Sequence, residues 1–170
     1  MMNYKYCPYC GSLFKKRKEF FKCPACSKKV YINSHPTASA FVINNGKYLI
    51  SKRAIEPKKG TYDVVGGFLK NGENPEKGVL REFKEETGAT IKVIDQLGIY
   101  LDKYKYQGDI VNTLNICYVG KIIKGEIKPQ DDVASLHWFA IDNTPNDLAF
   151  EWIKKALGDL RTWYRKQNNE

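Results

Sequence analysis

At 170 residues the chain has room for one domain of good size and a small appendage, and 42% hydrophobic with 28% charged residues describes a folded globular protein rather than a disordered one. No stretch approaches the roughly 18 consecutive apolar residues of a membrane span, and the start MMNYKYCPYC lacks an apolar signal region, so neither insertion nor secretion is indicated and a cytoplasmic location is expected. The net charge of +9 is uneven: residues 1–32 hold eight Lys or Arg against one acid, Glu19, while the rest carries 20 against 18.

That basic segment also holds four of the five cysteines, as Cys7 and Cys10 in CPYCG and Cys23 and Cys26 in CPACS. Each CxxC is a short knuckle whose following amides can hydrogen-bond thiolates, as a tetrahedral four-thiolate zinc site requires. Two disulfides would need an oxidising compartment, and a redox CxxC would explain one pair but not two. Residues 1–32 therefore read as a zinc ribbon, too small to fold without its Zn2+. With four thiolates and one zinc ion the ribbon keeps a charge of about +5. Tyr4, Tyr6, Tyr9, Phe14, Phe20 and Phe21 are interleaved with its lysines. They either pack around the zinc or give a surface that contacts RNA.

Residues 33–170 read as the second domain. Thr37 to Ile43 and Lys47 to Ser51 are apolar runs joined by Asn44, Asn45 and Gly46, a β-hairpin signal. Pro57 to Gly60 reads as a loop and Tyr62 to Val65 as a short strand delivering a glycine turn. Asn74 suits an N-cap, Pro75 the first helical position and Gly88 a left-handed C-terminal cap, which predicts a helix over Pro75–Thr87. On it Glu82, Glu85 and Glu86 stand at i, i+3 and i+4, on one face, with Val79, Leu80 and Phe83 opposite. Three like charges there repel unless a hard cation neutralises them. Mg2+, or Mn2+ in its place, prefers oxygen ligands and is commonly shared between carboxylates and substrate phosphates, so a phosphoryl-containing substrate is implied.

Further on, Ile91 to Tyr100, Ile110 to Val119 and Lys121 to Ile127 read as strands, with DKYKYQGD as a loop after the first. Pro129, Asp131 and Asp132 read as a loop before a strand over Leu136 to Ile141. Ala149, Ile153, Ala156, Leu157, Leu160 and Tyr164 recur at helical spacing, predicting a final helix from about Asp147. Cys117 reads as a buried strand residue, and His35 and His137 as ordinary surface or hydrogen-bonded histidines. Strands, helix, strands and helix in that order suit an α/β fold with a mixed sheet held between helices.

From Gly67 to Ala89 the chain reads GFLKNGENPEKGVLREFKEETGA and fits Gx5Ex7REUxEExGU, U being bulky and apolar. Seven positions are fixed by type, so a chance match is on the order of one in 10^8 per window. The stretch resembles the box of the Nudix hydrolases, and KRAIEPKKGTYDVVGGF resembles the strand, loop and strand that lead into it. Two positions depart from the pattern: Val65 stands where a proline is common, and Ala89 is small for the last apolar place.

The resemblance implies an α/β/α sandwich and a divalent-metal hydrolase that cleaves a diphosphate linkage in a nucleoside diphosphate derivative. Carried over by position, it implies that Glu82, Glu85 and Glu86 hold the metal, with a backbone carbonyl at Gly66 or Gly67, and that Arg81 and Glu73 orient them. Glu85 or Glu86 could take the proton of the attacking water, and family members often place a further acid outside the box. Asp132 is the candidate for it, ahead of Asp131 and Glu126. Lys52 and Arg53 are candidates to neutralise phosphate, and Tyr104 and Tyr106 to stack on a nucleobase. A zinc ribbon before such a domain is similar to the bacterial NADH pyrophosphatases, as is YINSHPTASAFVI, but their SQPWPFPxS signature is replaced here by IYLDKYKYQGDIVNTLN. NADH, ADP-ribose, another nucleotide sugar and a dinucleotide all stay open. So do two alternatives: RNA-end processing with the basic ribbon holding the RNA, and a catalytically silent nucleotide-binding regulator. Homodimers are common in the resembling family, which makes a second copy a candidate partner.

Overall fold

The computed structural model describes residues 5–16, 20–106 and 108–168, with no description of the side chains of Lys15, Lys16 and Tyr106. Tyr4 and Glu19, singled out above, lie outside the described residues, as do Arg17 and Lys18 of the basic segment. Three short antiparallel strands open the chain: β1 (Lys15–Lys16), β2 (Phe20–Lys22) and β3 (Lys29–Tyr31). The larger part is built from β4 (His35–Asn44), β5 (Lys47–Arg53), β6 (Tyr62–Asp63), β7 (Gly66–Phe68), α1 (Pro75–Thr87), β8 (Thr90–Tyr106), β9 (Asp109–Lys124), β10 (Val133–Ala140) and α2 (Glu151–Gln167). Its strands run in the order β10-β5-β4-β9-β8, with β6 on β5 and β7 on β4. The sheet is mixed because β4 and β9 are parallel while every other pair is antiparallel.

Alternation along the strands divides the core in two. Phe41, Tyr48, Ile50, Val119 and Cys117 pack with Ile153, Ala156, Leu157 and Leu160 of α2. Ala38, Ala40, Val42 and Leu49 pack with Val79 and Phe83 of α1. This is the sandwich expected from the order of elements. Asn74 caps α1 by accepting from the Glu76 and Lys77 amides, and Gly88 closes it at φ 72°, as its position implies.

Four expectations are corrected. DKYKYQGD is no loop: β8 runs on to Tyr106 and β9 begins at Asp109, because Asp102 and Tyr104 alternate with Lys103 and Lys105 in an edge strand that carries charge on one face. No separate strand covers Lys121 to Ile127; β9 continues to Lys124 and breaks at Gly125, φ 86°, after which Lys128 and Gln130 donate backbone hydrogen bonds to Thr87 and Glu86 at the end of α1. Gly66–Phe68 is not a turn but β7, paired to β4 with Ser39 opposite Gly66. Finally, α2 starts at Glu151, since residues 147–149 are extended and exchange backbone hydrogen bonds with Tyr62.

β4 and β5 pair only through Ile43 with Tyr48 and Asn44 with Lys47 before they diverge. The widening gap is filled by β6 and β7 and becomes a cleft. Among the described residues no helix is long and apolar enough to cross a membrane.

Candidate active site

β7 is where the acids of α1 meet the sheet. Gly66 has φ 148°, and a Cβ there would stand 2.3 Å from the Ala38 carbonyl oxygen, so only glycine lets β7 lie this close to β4. Glu86 Oε2 accepts from the Gly66 amide at 3.0 Å, and a Cβ on Gly67 would meet the Glu82 carboxylate at 2.7–2.9 Å. Two of the three box glutamates thus converge on the glycine pair. The third, Glu85, is joined to Glu82 through Arg81, whose Nη1 donates to Glu82 at 2.6 Å and to Glu85 at 2.9 Å. The same guanidinium holds Glu73 with two parallel hydrogen bonds of 2.8 Å, a bidentate clamp. Those bonds and the Lys70 amide pull the Glu73 carboxyl down to about 2.

Glu86 behaves differently. Only 8% exposed, its carboxyl is pushed up to about 8 by burial first, the Gly66 amide opposing, and then by the charges of Asp63, Glu82 and Asp132. Burial also raises Glu82 against the pull of Arg81. Crowded carboxylates whose charge is this costly match the donor set of a hard divalent cation.

A description of the NUDIX domain matches residues 33–160, three quarters of the chain. The chain belongs to the Nudix family. It is 33% identical over 156 residues to the ADP-ribose pyrophosphatase of Methanocaldococcus jannaschii, with 89% of each chain covered. It is 26% identical to the NAD-capped RNA hydrolase NudC of Pseudomonas aeruginosa, covering 92% of this chain but only 55% of that protein, so it spans about half the length of this relative. The fold is that of a NUDIX hydrolase from Nitrosomonas europaea, at a TM-score of 0.78 and 22% identity over 98% of this chain and 93% of that one.

In this Nudix domain the cleft beyond Gly66 and Gly67 is lined by Arg53, Asp63, Phe68, Glu86, Tyr104, Asp132, Phe150 and Trp152, over a floor of Thr37, Ser39, Ser51, Thr113 and Asn115. Arg53 does reach it, but as half of an ion pair: Nη1 lies 2.6 Å from Asp63 Oδ2, with both side chains 13% exposed. Burial pushes the Asp63 carboxyl up and the Arg53 guanidinium draws it back, while Asp63 keeps Arg53 firmly charged against its own burial. Lys52, one residue earlier on β5, points to the other side and sets its Nζ 4.8 Å from the Tyr62 ring centre, outside the cleft lining. Tyr104 stands in the cleft wall, its ring edge-on to Phe68 at 5.5 Å and tilted on Phe150 at 5.5 Å.

Asp132 lines the cleft and makes no side-chain hydrogen bond or ion pair among the described residues; burial and Asp131 raise its carboxyl and Arg53 lowers it. Asp131 is a turn residue at φ 49°, and Glu126 pairs with Lys128 on the exposed surface. His137 shares a 2.8 Å hydrogen bond with Ser135.

In the amino-terminal segment the Sγ atoms of Cys7, Cys10, Cys23 and Cys26 all lie within 4.8 Å of one another, and all five cysteines of the chain are free. Cys10 to Cys23 is 3.5 Å and Cys7 to Cys26 is 3.7 Å. Tetrahedral zinc with bonds of 2.3 Å sets sulfurs about 3.8 Å apart, so the cluster fits zinc and is far too open for disulfides. Hydrogen bonds from Ser12, its amide first, lower the Cys10 thiol to about 6.

Sequence reasoning missed Asp63, Phe68, Phe150, Trp152 and the polar floor. Only the floor left a trace: Thr37 and Ser39 break the apolar alternation of β4 just before Phe41.

Proposed function

We propose that this protein hydrolyses the diphosphate linkage of a nucleoside diphosphate derivative of the ADP-ribose class, using a divalent cation held by Glu82, Glu85 and Glu86. The observation that carries this reading is the convergence of Glu82 and Glu86 on the Gly66–Gly67 strand, at the mouth of a cleft walled by aromatic rings. The relative from Methanocaldococcus jannaschii, matched over 89% of each chain, bears the name ADP-ribose pyrophosphatase. The proposed organisation is a zinc ribbon over residues 1–32, its zinc on Cys7, Cys10, Cys23 and Cys26, and a Nudix domain over residues 33–170. With four cysteines on zinc and Cys117 buried in a strand, none is left to a disulfide, which suits a reducing, cytoplasmic setting.

Mg2+ or Mn2+ supplies Lewis-acid polarisation of the phosphoryl oxygens. The Gly67 carbonyl would add a neutral oxygen, on a residue whose Cβ position faces the Glu82 carboxylate. Arg81 and Glu73 hold Glu82 and Glu85 in register from behind, which keeps the acids near their working positions. Asp132, with unengaged oxygens and a raised pKa at the cleft edge, takes the proton of the attacking water. Arg53 is the phosphate-facing cation, half neutralised by Asp63, while Lys52 is left to the surface. Tyr104, Phe68 and Phe150 offer ring faces and edges to a nucleobase.

A released-product assay with ADP-ribose, NADH, sugar nucleotides, nucleoside triphosphates and capped RNA in Mg2+ or Mn2+ tests the reading. AMP and ribose 5-phosphate from ADP-ribose are expected; no product from any diphosphate rejects it and favours the silent regulator.

One observation favours RNA as a second class of substrate. Tyr6, Tyr9 and Tyr31 of the ribbon are each more than half exposed rather than packed about the cysteines, with Lys28 Nζ 4.3 Å from the Tyr9 ring centre. Cations beside exposed aromatic rings suit a single strand of nucleic acid. Affinity for capped RNA that falls steeply with salt, against a flat response for ADP-ribose, would support it.

A further inference from the structure

The floor of the cleft is buried, polar and uncharged. Ser39, Thr113 and Asn115 are each at most 5% exposed, and all three line the cleft. Buried polar groups are costly unless they are hydrogen-bonded, so each donor and acceptor can be followed to its partner. Thr37 Oγ1 donates to Asn115 Oδ1 at 2.8 Å; Asn115 Nδ2 donates to the Tyr100 carbonyl and to Thr113 Oγ1, each at 3.1 Å; Thr113 Oγ1 donates to the Asp102 carbonyl at 3.4 Å. The hydrogens of these three side chains are spent within the protein, which leaves lone pairs on Thr37 Oγ1, Thr113 Oγ1 and Asn115 Oδ1.

Ser39 is the exception. Its hydroxyl is the single buried side-chain polar atom without a hydrogen-bond partner among the described residues. The Cys117 thiol interacts with it, but a thiol is too weak a partner to replace water. The floor therefore presents acceptors on Thr37, Thr113 and Asn115 and, on Ser39, a hydroxyl with only a thiol beside it. A phosphate would find lone pairs there instead of donors. The group that matches can both donate and accept, and it is neutral.

Register says which part of a nucleotide this is. Ser39 pairs with Gly66 across β4 and β7, and Gly66 holds Glu86. Antiparallel neighbours stand about 5 Å apart, so the floor begins one residue from the acids that flank the diphosphate. A sugar hydroxyl lies that close to its own phosphate, whereas a nucleobase is a whole sugar further away. We infer that Ser39, Thr37 and Asn115 form a subsite for a hydroxyl of the sugar attached to the cleaved diphosphate, an inference that rests on the diphosphatase reading for the identity of its ligand. Arg53 and the acids take the phosphate, and the floor distinguishes a hydroxylated sugar from a deoxygenated one.

The test is calorimetric binding of ribose 5-phosphate and of its 2-deoxy and 3-deoxy forms to the full chain and to Ser39→Ala, with AMP and IMP as a base-changing pair and ADP-ribose turnover alongside. Ser39→Ala should weaken ribose 5-phosphate by about threefold to tenfold, the range of one neutral hydrogen bond. It should leave melting temperature unchanged or higher, since the orphaned hydroxyl is gone. The loss should vanish with one deoxy form, a non-additivity that marks direct contact. Equal affinity of the two proteins for ribose 5-phosphate, no binding by either, or coupling to the AMP/IMP change instead of the deoxy change overturns the subsite. Should ADP-ribose resist hydrolysis while Ser39→Ala still weakens ribose 5-phosphate, the subsite stands and the diphosphatase reading falls.

Discussion

The thiol cluster of the ribbon and the carboxylate cluster on α1 both have the chemistry of cation ligands, but they stand in opposite relations to the fold. Around the thiols little else is buried: Cys7, Cys23 and Phe21 are the buried apolar residues among the described part of the ribbon. The acids instead ride on a helix already anchored by Val79 and Phe83 in a core with Ala38, Ala40, Val42 and Leu49. In the proposed reading metal in the first place would substitute for a core, and in the second it would relieve charge on a helix that is formed regardless. A cation would thus decide whether the ribbon folds, and only how the Nudix helix works.

Three experiments would break or sharpen that contrast. The largest effect is expected in the ribbon, where zinc binding carries on the order of 10 kcal/mol of folding free energy. Cys23→Ser should abolish structure in residues 1–32 and bound zinc together, measured by amide exchange and metal analysis, while the rest keeps its protection. A ribbon that stays protected without zinc would remove the first half of the contrast.

Next in size, Glu85→Gln removes one charge from an exposed position whose hydrogen-bond partner among the described residues is Arg81, so the fold should hold. Turnover should drop by about 10^2-fold or more, the loss of a preorganised electrostatic group at the reacting centre. Unchanged turnover in a steady-state assay would reject the metal assignment on α1.

A third effect concerns Glu86, whose carboxyl sits at about 8 against an ordinary 4.5. Because the raised pKa belongs to the folded, metal-free form, ionising Glu86 costs stability progressively as pH rises from about 5 to 8, and a cation must displace its proton across the same window. Mn2+ affinity should therefore rise by up to tenfold per pH unit to about pH 8 and then level, with proton release seen by calorimetry in buffers of different ionisation enthalpy. A pH-independent affinity would mean that Glu86 is already ionised without metal.

The features legible in the sequence were those whose partners lie within one turn or one knuckle. The caps of α1 at Asn74 and Gly88, the row Glu82, Glu85, Glu86 and each CxxC knuckle depend on spacings a few residues long, and the structure has the caps, the helix and the thiol cluster where those spacings imply. Where charge masked an alternating strand, as in Asp102 to Tyr106, the sequence misled, because an edge strand can carry lysines on one face.

What only tertiary structure decided is the interior of the cleft. Thr37 meets Asn115 across 78 residues of chain, Asp63 finds Arg53 where β5 and β6 pair, and the Gly66 amide reaches Glu86 from a separate strand. The helix by itself arrays three acids. Whether one acid is buried, which cation faces the phosphate and which hydroxyl is left unpaired are set by strands meeting at long range, and no local spacing encodes a meeting of that kind.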